Sequence, residues 1–259
     1  MKPFLKWCGS KRQPYIIDKL KPLLGNKFWV EPFVGSGALP LALGVKSGIF
    51  ADANPHLIAL WKWVQAGEKV SLDFPSMNTP RGYALARQQF NTTTDSNLKS
   101  ELFYYLNQTC FNGLCRFNSK GLFNVPYGKD RAGNPKKINY LTDFSDYRAV
   151  IREWQFYAQD FRETIIAAPR GSIIYCDPPY HGTFTNYTRI PFTLEDQLEL
   201  IALLSAKRGC TVVASNSPLL EDYYRDSGFK TELLTVSRSV SSSASTRGKT
   251  LELFATLNI

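Results

Sequence analysis

Phe28-Trp29-Val30-Glu31-Pro32-Phe33-Val34-Gly35-Ser36-Gly37, followed by the apolar run Ala38 to Leu43 and then by Gly48-Ile49-Phe50-Ala51-Asp52, is the stretch that decides the fold. Aromatic and β-branched residues up to Val34 are strand-like, Gly35-Ser36-Gly37 is a tight turn, and the apolar run after it is a short helix. A second strand arrives within one helix length and ends on an acidic residue. Residues 28–52 are therefore expected to form a βαβ unit.

Working outward, His56 to Val64 has helical spacing, and 73–79 is a break rich in Pro, Ser and Asn. Helices are expected over 80–91, with Thr79 as N-cap and Pro80 at the first position, and over 96–109. Leu114 to Asn118 and Leu122 to Pro126 read as two strands about the turn Ser119-Lys120-Gly121, a basic β-hairpin leading into a Lys-rich loop to about Asn139. Further elements are a helix near 143–153, a strand at 155–159, a short helix to Ala168 and a buried strand, Ser172 to Cys176, which ends in Asp177-Pro178-Pro179-Tyr180. Thr193 and Asp196 have capping-box spacing and open a helix to about Lys207. A strand at 211–214, a helix ending near Gly228, and strands at 230–240 and 250–257 around a Ser-rich loop close the chain. There is no internal repeat. The whole is an α/β sheet domain with roughly 70–160 partly an insertion.

With 259 residues, 44% hydrophobic and 20% charged, the chain is neither disordered nor collagen-like. No apolar run approaches ~20 residues, so no membrane span is expected. Met1 to Trp7 lacks the apolar core of a signal peptide, which makes a cytoplasmic location the expectation. Five cysteines at irregular spacing and two histidines support neither a disulfide framework nor a metal site. The net charge of +9 is concentrated in 1–12, 111–137 and 230–249, while the rest of the chain is slightly acidic. A basic excess confined to three segments suits a phosphate-backbone footprint.

Two motifs carry chemistry. Gly35 and Gly37 let backbone approach a ligand, and Asp52, seventeen residues after Gly35, can accept the hydroxyl hydrogens of a ribose. That pattern fits a dinucleotide enzyme nearly as well as an S-adenosylmethionine enzyme, although the third glycine of the dinucleotide fingerprint has no counterpart. Asp177-Pro178-Pro179-Tyr180 is more specific. The lone pair of an exocyclic amine is delocalised into its ring, so a catalyst must hold both amino hydrogens and favour a tetrahedral nitrogen. A carboxylate can accept one and a proline-locked carbonyl the other, while the tyrosine ring stacks on an extruded base. No Pro-Cys dipeptide offers the nucleophile used to methylate cytosine carbon, and no His-x-Glu with Cys-x-x-Cys offers a zinc deaminase.

Lys6-Trp7-Cys8-Gly9-Ser10-Lys11, Val30 to Gly37, Asn112-Gly113-Leu114-Cys115-Arg116-Phe117-Asn118, Phe123-Asn124-Val125-Pro126-Tyr127-Gly128 and Asp177 to Tyr180 occur in the order found in Dam-type DNA adenine-N6 methyltransferases. The chain resembles this family, of the α group of amino-methyltransferases, from about residue 3 to 257. The resemblance implies a Rossmann-like S-adenosylmethionine-dependent methyltransferase sheet of seven strands, formed by 1–69 and 155–259. A small helical and β-hairpin DNA target-recognition domain would be inserted at 70–154, its hairpin at 112–127. It further implies that Trp7, Lys11, Phe33, Gly35, Gly37, Asp52, Asp160, Phe161 and Asp177 line the cofactor pocket, and that Asp177, Pro178, Pro179 and Tyr180 hold the target adenine. Lys6, Asn112, Leu114, Arg116 and Pro126 would read bases, with Phe111 wedged into the duplex. Asn118, Asn124, Lys129, Lys136 and Lys137 would contact the DNA backbone or be merely solvated. The implied partner is double-stranded DNA containing GATC, bound by a monomer; the product cofactor is S-adenosylhomocysteine, and no metal is needed. Phe111 stands where tyrosine is common, Cys8 and Ser10 replace smaller residues, and the segment between Tyr180 and Phe192 is short. Alternatives are a non-catalytic DNA-binding module of the same fold, or methylation of RNA or a glutamine amide.

Overall fold

Strands that are apolar at every position need cover on both faces, and the layering follows from that. The computed structural model describes residues 1–9, 14–180, 192–237 and 249–259. Its strands are β1 (Trp29–Glu31), β2 (Ser47–Asp52), β3 (Glu153–Ala158), β4 (Ile173–Cys176), β5 (Thr211–Asn216), β6 (Lys230–Ser237) and β7 (Lys249–Leu257), in one sheet of order β3-β2-β1-β4-β5-β7-β6. β1 to β5 are parallel, and β7 runs antiparallel between β5 and β6. In β4, Ile173 and Tyr175 enter one apolar layer while Ile174 and Cys176 enter the other.

One face is covered by α1 (Pro14–Leu24), α2 (Ala38–Leu43) and α3 (Pro55–Ala66), joined by the inserted α4 (Phe74–Met77), α5 (Pro80–Thr92), α6 (Ser96–Thr109) and α7 (Ser145–Ile151). The other carries α8 (Phe161–Ile166), α9 (Leu194–Ser205) and α10 (Glu221–Asp226). The insertion thus shares a continuous core with the sheet, through α6 packed on both α3 and α5. After β1 the chain goes to β2 on one side, while β4 pairs on the other. The carboxyl ends of β1 and β4 therefore flank the crevice where ligands of such sheets bind.

Local signals hold where they have a mechanism. Thr79 accepts from the Gly82 N–H at the start of α5, and Thr193 and Asp196 cap α9 reciprocally. The helix α1 was not anticipated, although Ile16 and Leu20 are spaced to share its buried face. The hairpin is shorter than expected: its two arms pair at a single antiparallel bridge, Phe117 to Phe123, flanked by the Asn118 N–H donating to Leu122 O at 2.9 Å and the Asn124 N–H donating to Arg116 O at 3.2 Å. Phe123 and Val125 find their partners on α5. Asn91 accepts from the Phe123 N–H at 2.9 Å and donates to its carbonyl at 3.1 Å, and the Tyr83 hydroxyl donates to Val125 O at 2.8 Å. Asn118 closes the turn, its Oδ1 accepting from the N–H groups of Lys120 and Leu122.

Removing the Asn91 carboxamide leaves the Phe123 N–H and C=O without these partners. Asn91→Ala is expected to cost about 1–3 kcal/mol of unfolding free energy in urea titration, with the loss of exchange protection concentrated in 114–126.

Candidate active site

The glycine turn after β1 is shaped by close approach. Gly35 has φ +49° and Gly37 φ +60°; a Cβ at Gly35 would lie 2.8 Å from the Trp7 indole, and one at Gly37 would lie 3.0 Å from Trp61. The Trp61 indole N–H donates to Gly35 O at 3.1 Å. Asp52, at the end of β2, accepts from the N–H of Gly35 at 3.2 Å and from that of Asn54 at 2.9 Å. Burial pushes the Asp52 carboxyl up to about 6, against the opposing pull of those two hydrogen bonds. Phe33 stacks on Phe161 with ring centroids 5.6 Å apart, and Phe192 meets both rings. Asp160 caps α8, and its carboxylate is engaged by Arg162, which also bridges to Asp196 and Glu199. Trp7, Phe33, Gly35, Gly37, Asp52 and Phe161 are thus gathered around the turn; Lys11 lies outside the described residues, as do His181 and the Ser-rich loop.

Asp177-Pro178-Pro179-Tyr180 leaves the end of β4, with Pro178 buried and Asp177 half-buried. The carboxamide of Gln197, fully buried on α9, donates to Pro179 O at 2.7 Å. Gln197 in turn accepts from Asn216 at the end of β5, which also donates to the Tyr224 hydroxyl. Pro179 O is therefore committed to holding the loop, whereas Pro178 O accepts no hydrogen bond from a described residue. Burial, with the charges of Asp177 and Glu252 nearby, pushes the Tyr180 hydroxyl well above its usual value, so the ring stays neutral. Glu31, at the end of β1, accepts from the Trp29 indole at 2.8 Å; burial raises its carboxyl well above the usual range.

On the insertion, a 3-10 turn, Phe111–Gly113, follows α6, with Asn112 in left-handed conformation. Phe111 is 42% exposed and donates its N–H to the carbonyl of the exposed Pro126. Lys6 covers Gly113, where a Cβ would collide with its side chain. Arg116 donates through Nε to the Asn124 side chain at 2.9 Å, so Asn124 aims the guanidinium. Leu114 is half-buried beside them, while Lys129, Lys136 and Lys137 lie on the exposed loop beyond. The third basic segment is divided. Lys230 pairs with Thr256 at the amino-terminal edge of the parallel strands, away from the site, so it does not extend a footprint there; β6 and β7 meet at Ser237 and Lys249 on the opposite edge.

Residues 7–241 match the profile of the D12 class N6 adenine-specific DNA methyltransferases. The chain belongs to this family. It is 34% identical over 271 residues to the DNA adenine methylase of Escherichia coli, covering 97% of this chain and 94% of that one. The DNA adenine methylase of Haemophilus influenzae is likewise 34% identical, over 98% of this chain and 93% of its own. A DNA N-6-adenine-methyltransferase of Escherichia phage P1 is 36% identical over 94% of this chain, which spans 34% of that longer relative.

Sequence reasoning missed Gln197, Asn54 and Glu31 as parts of this methyltransferase site. Gln197 had a signal, being a polar residue on the same stripe of α9 as Leu200, Ile201 and Leu204. Methyl transfer in the family implies S-adenosylmethionine, and the donors present suit it: a backbone cradle without Cβ atoms, aromatic rings and a carboxylate. Asp52 links the pH dependence of folding and binding with opposite signs. Its folded value of about 6 exceeds the usual 3.8, so protonation favours the folded state. Stability relative to Asp52→Asn should rise as pH falls from 6 towards 4 and be lost as pH rises through 6. If Asp52 is the ribose acceptor, S-adenosylmethionine affinity should instead fall below pH 6, as its carboxylate is neutralised; calorimetric titration at pH 5 and 7.5 checks this.

Proposed function

We propose that this DNA adenine methyltransferase acts on adenine extruded from duplex DNA within GATC, using 70–154 as the target-recognition domain. The observation that carries the catalytic assignment is the division of labour between the two proline carbonyls. Gln197 holds that of Pro179, leaving that of Pro178 beside the Asp177 carboxylate as acceptors for the two amine hydrogens. Holding both hydrogens localises the nitrogen lone pair, and the neutral Tyr180 ring offers a stacking face for the base. S-adenosylmethionine supplies an electrophilic methyl group and leaves as S-adenosylhomocysteine. Trp7, Phe33, Asp52 and Phe161 would hold it, with Asp160 at the margin. Asp177 stabilises the positive charge that develops on the attacking nitrogen, so its contribution is largest in the transition state. No step calls for a metal ion.

In recognition, the guanidinium of Arg116, aimed by Asn124, can pair bidentately with guanine. Leu114 and Pro126 offer apolar contact to thymine methyls, and exposed Phe111 can fill the gap left by an extruded base. Lys6, packed on Gly113, and its neighbour Asn112 are exposed and would read bases beside them, while Lys129, Lys136, Lys137 and Asn118 suit phosphate contacts. The protein would act as a monomer in the cytoplasm. Alternative substrates, RNA or a glutamine amide, would leave this exposed wedge and aimed arginine without a purpose.

Labelled methyl transfer to two duplexes differing only in an intact or permuted GATC tests the reading. Label confined to the intact duplex, and abolished by Asp177→Ala with duplex binding retained, is expected; equal label in both would discard the site assignment. Arg116→Ala should cost ~1–3 kcal/mol of discrimination at one base pair. An equal loss on every sequence would make Arg116 a phosphate contact.

A further inference from the structure

Residues Phe4 to Trp7 run between the cofactor side and the reading side of the site, and two amide side chains of α6 hold their backbone. Asn107 accepts from the Lys6 N–H at 3.0 Å and donates to the Lys6 carbonyl at 2.7 Å, the pair of bonds a facing strand would make. Its Nδ2 also lies 3.5 Å from Gly113 O in the recognition turn. Gln108 donates to Phe4 O at 3.0 Å and to Asn107 Oδ1 at 3.1 Å, and its own carbonyl accepts from Lys6 Nζ at 2.6 Å. Both amides are buried.

The two side chains of this segment end on different functional loops. Lys6 lies over Gly113 and Trp7 over Gly35; both glycines have positive φ, and neither has room for a Cβ. One peptide unit separates the two contacts, so little slack exists between them. The place of the indole at the glycine turn and that of the lysine at the recognition turn are therefore set together, because Asn107 holds the backbone beside them.

We propose that Asn107 is a positioning residue that couples cofactor binding to recognition of the target sequence by clamping Lys6. The proposal rests on the reading of Trp7 as a cofactor contact and Lys6 as a base contact. By linkage, a cofactor that tightens specific duplex binding must itself be bound more tightly on that duplex.

The test measures the affinity of the full chain for intact and permuted GATC duplexes, each with and without saturating S-adenosylhomocysteine. For the unaltered protein the cofactor product should tighten binding of the intact duplex about tenfold and leave the permuted duplex unchanged. Asn107→Ala should bring that ratio close to one while S-adenosylhomocysteine affinity without DNA stays within about twofold. Should Asn107→Ala fail to fold, Asn107→Asp keeps the acceptor for the Lys6 N–H and loses both donations, and the ratio should fall likewise. A merely structural role would weaken both affinities and preserve the ratio; that result, or an unaltered protein showing no coupling, overturns the proposal. Failure of the underlying reading is seen separately, as absence of methyl transfer to the intact duplex by the unaltered protein.

Discussion

A carboxylate at the end of a buried strand must find donors, and Asp52 finds two on different elements: the N–H of Gly35 after β1 and that of Asn54 at the start of α3. This one group joins the first two strands of the βαβ unit to the helix that follows. Asn54 extends the link, since its Oδ1 caps α3 while its Nδ2 reaches Cys115 Sγ at 3.3 Å beneath the reading loop. Gly35 is then fixed from several directions, by Asp52 at its N–H, Trp61 at its carbonyl and Trp7 against its α-carbon. No side chain can be added there without displacing an indole, and so the cradle and the carboxylate beside it are a single construction.

The irregular segments follow a related rule. Backbone that must face a ligand cannot also pair in a ladder, yet its N–H and C=O groups still need partners where they are buried. Carboxamides supply both a donor and an acceptor. Asn91 serves Phe123, Asn107 serves Lys6, Gln65 donates to the carbonyls of Ile151 and Trp154, and Gln197 holds Pro179. Rings do the remaining anchoring. His56 stacks on Phe117 at 5.2 Å and meets Phe90 edge-on, and burial lowers its imidazole to about 4, which keeps it an apolar joint between α3 and the reading loop.

This rule also explains what was legible in the sequence. Helices with explicit caps, such as α5 behind Thr79 and α9 behind Thr193, and strands with two apolar faces, such as β4, announce themselves because the signal lies within the element. The Gly35, Asp52 and Asp177 motifs were legible because each residue type has few other uses at a strand end. The hairpin is shorter than its alternation suggests because Phe123 and Val125 bond to Asn91 and Tyr83, about thirty to forty residues away in sequence, and alternation alone cannot reveal a partner on another element. Asn107 gave no sign of its partners for the same reason, and Gln197 showed only as a polar residue on an apolar stripe. The charge count overreached at Lys230, because strand direction, and not sequence proximity, decides which edge of a sheet a residue occupies.

α6 brings these threads together. Every residue from Ser100 to Thr109 is buried, including Glu101, Asn107, Gln108 and Thr109. A buried helix of Leu and Ala would be held in register by packing alone; this one is also held by Glu101, Asn107 and Gln108, each of which would lose partners on another segment if the helix rotated or slid. Glu101 receives the N–H groups of Ser71 and Leu72, where the insertion begins, and Thr109 bonds back to Tyr105 O. Asn107 and Gln108 hold the Phe4 to Trp7 segment, and the recognition turn starts one residue beyond the helix. The register of α6 therefore fixes the separation between the groups proposed to read the base pairs and those proposed to hold the methyl donor. Sequence discrimination in a methyltransferase requires that separation to be fixed, since a reading surface free to slide relative to Asp177 would deliver neighbouring bases to the same acceptors. The polar content of this buried helix is costly as core, and its physical rationale is the register it imposes.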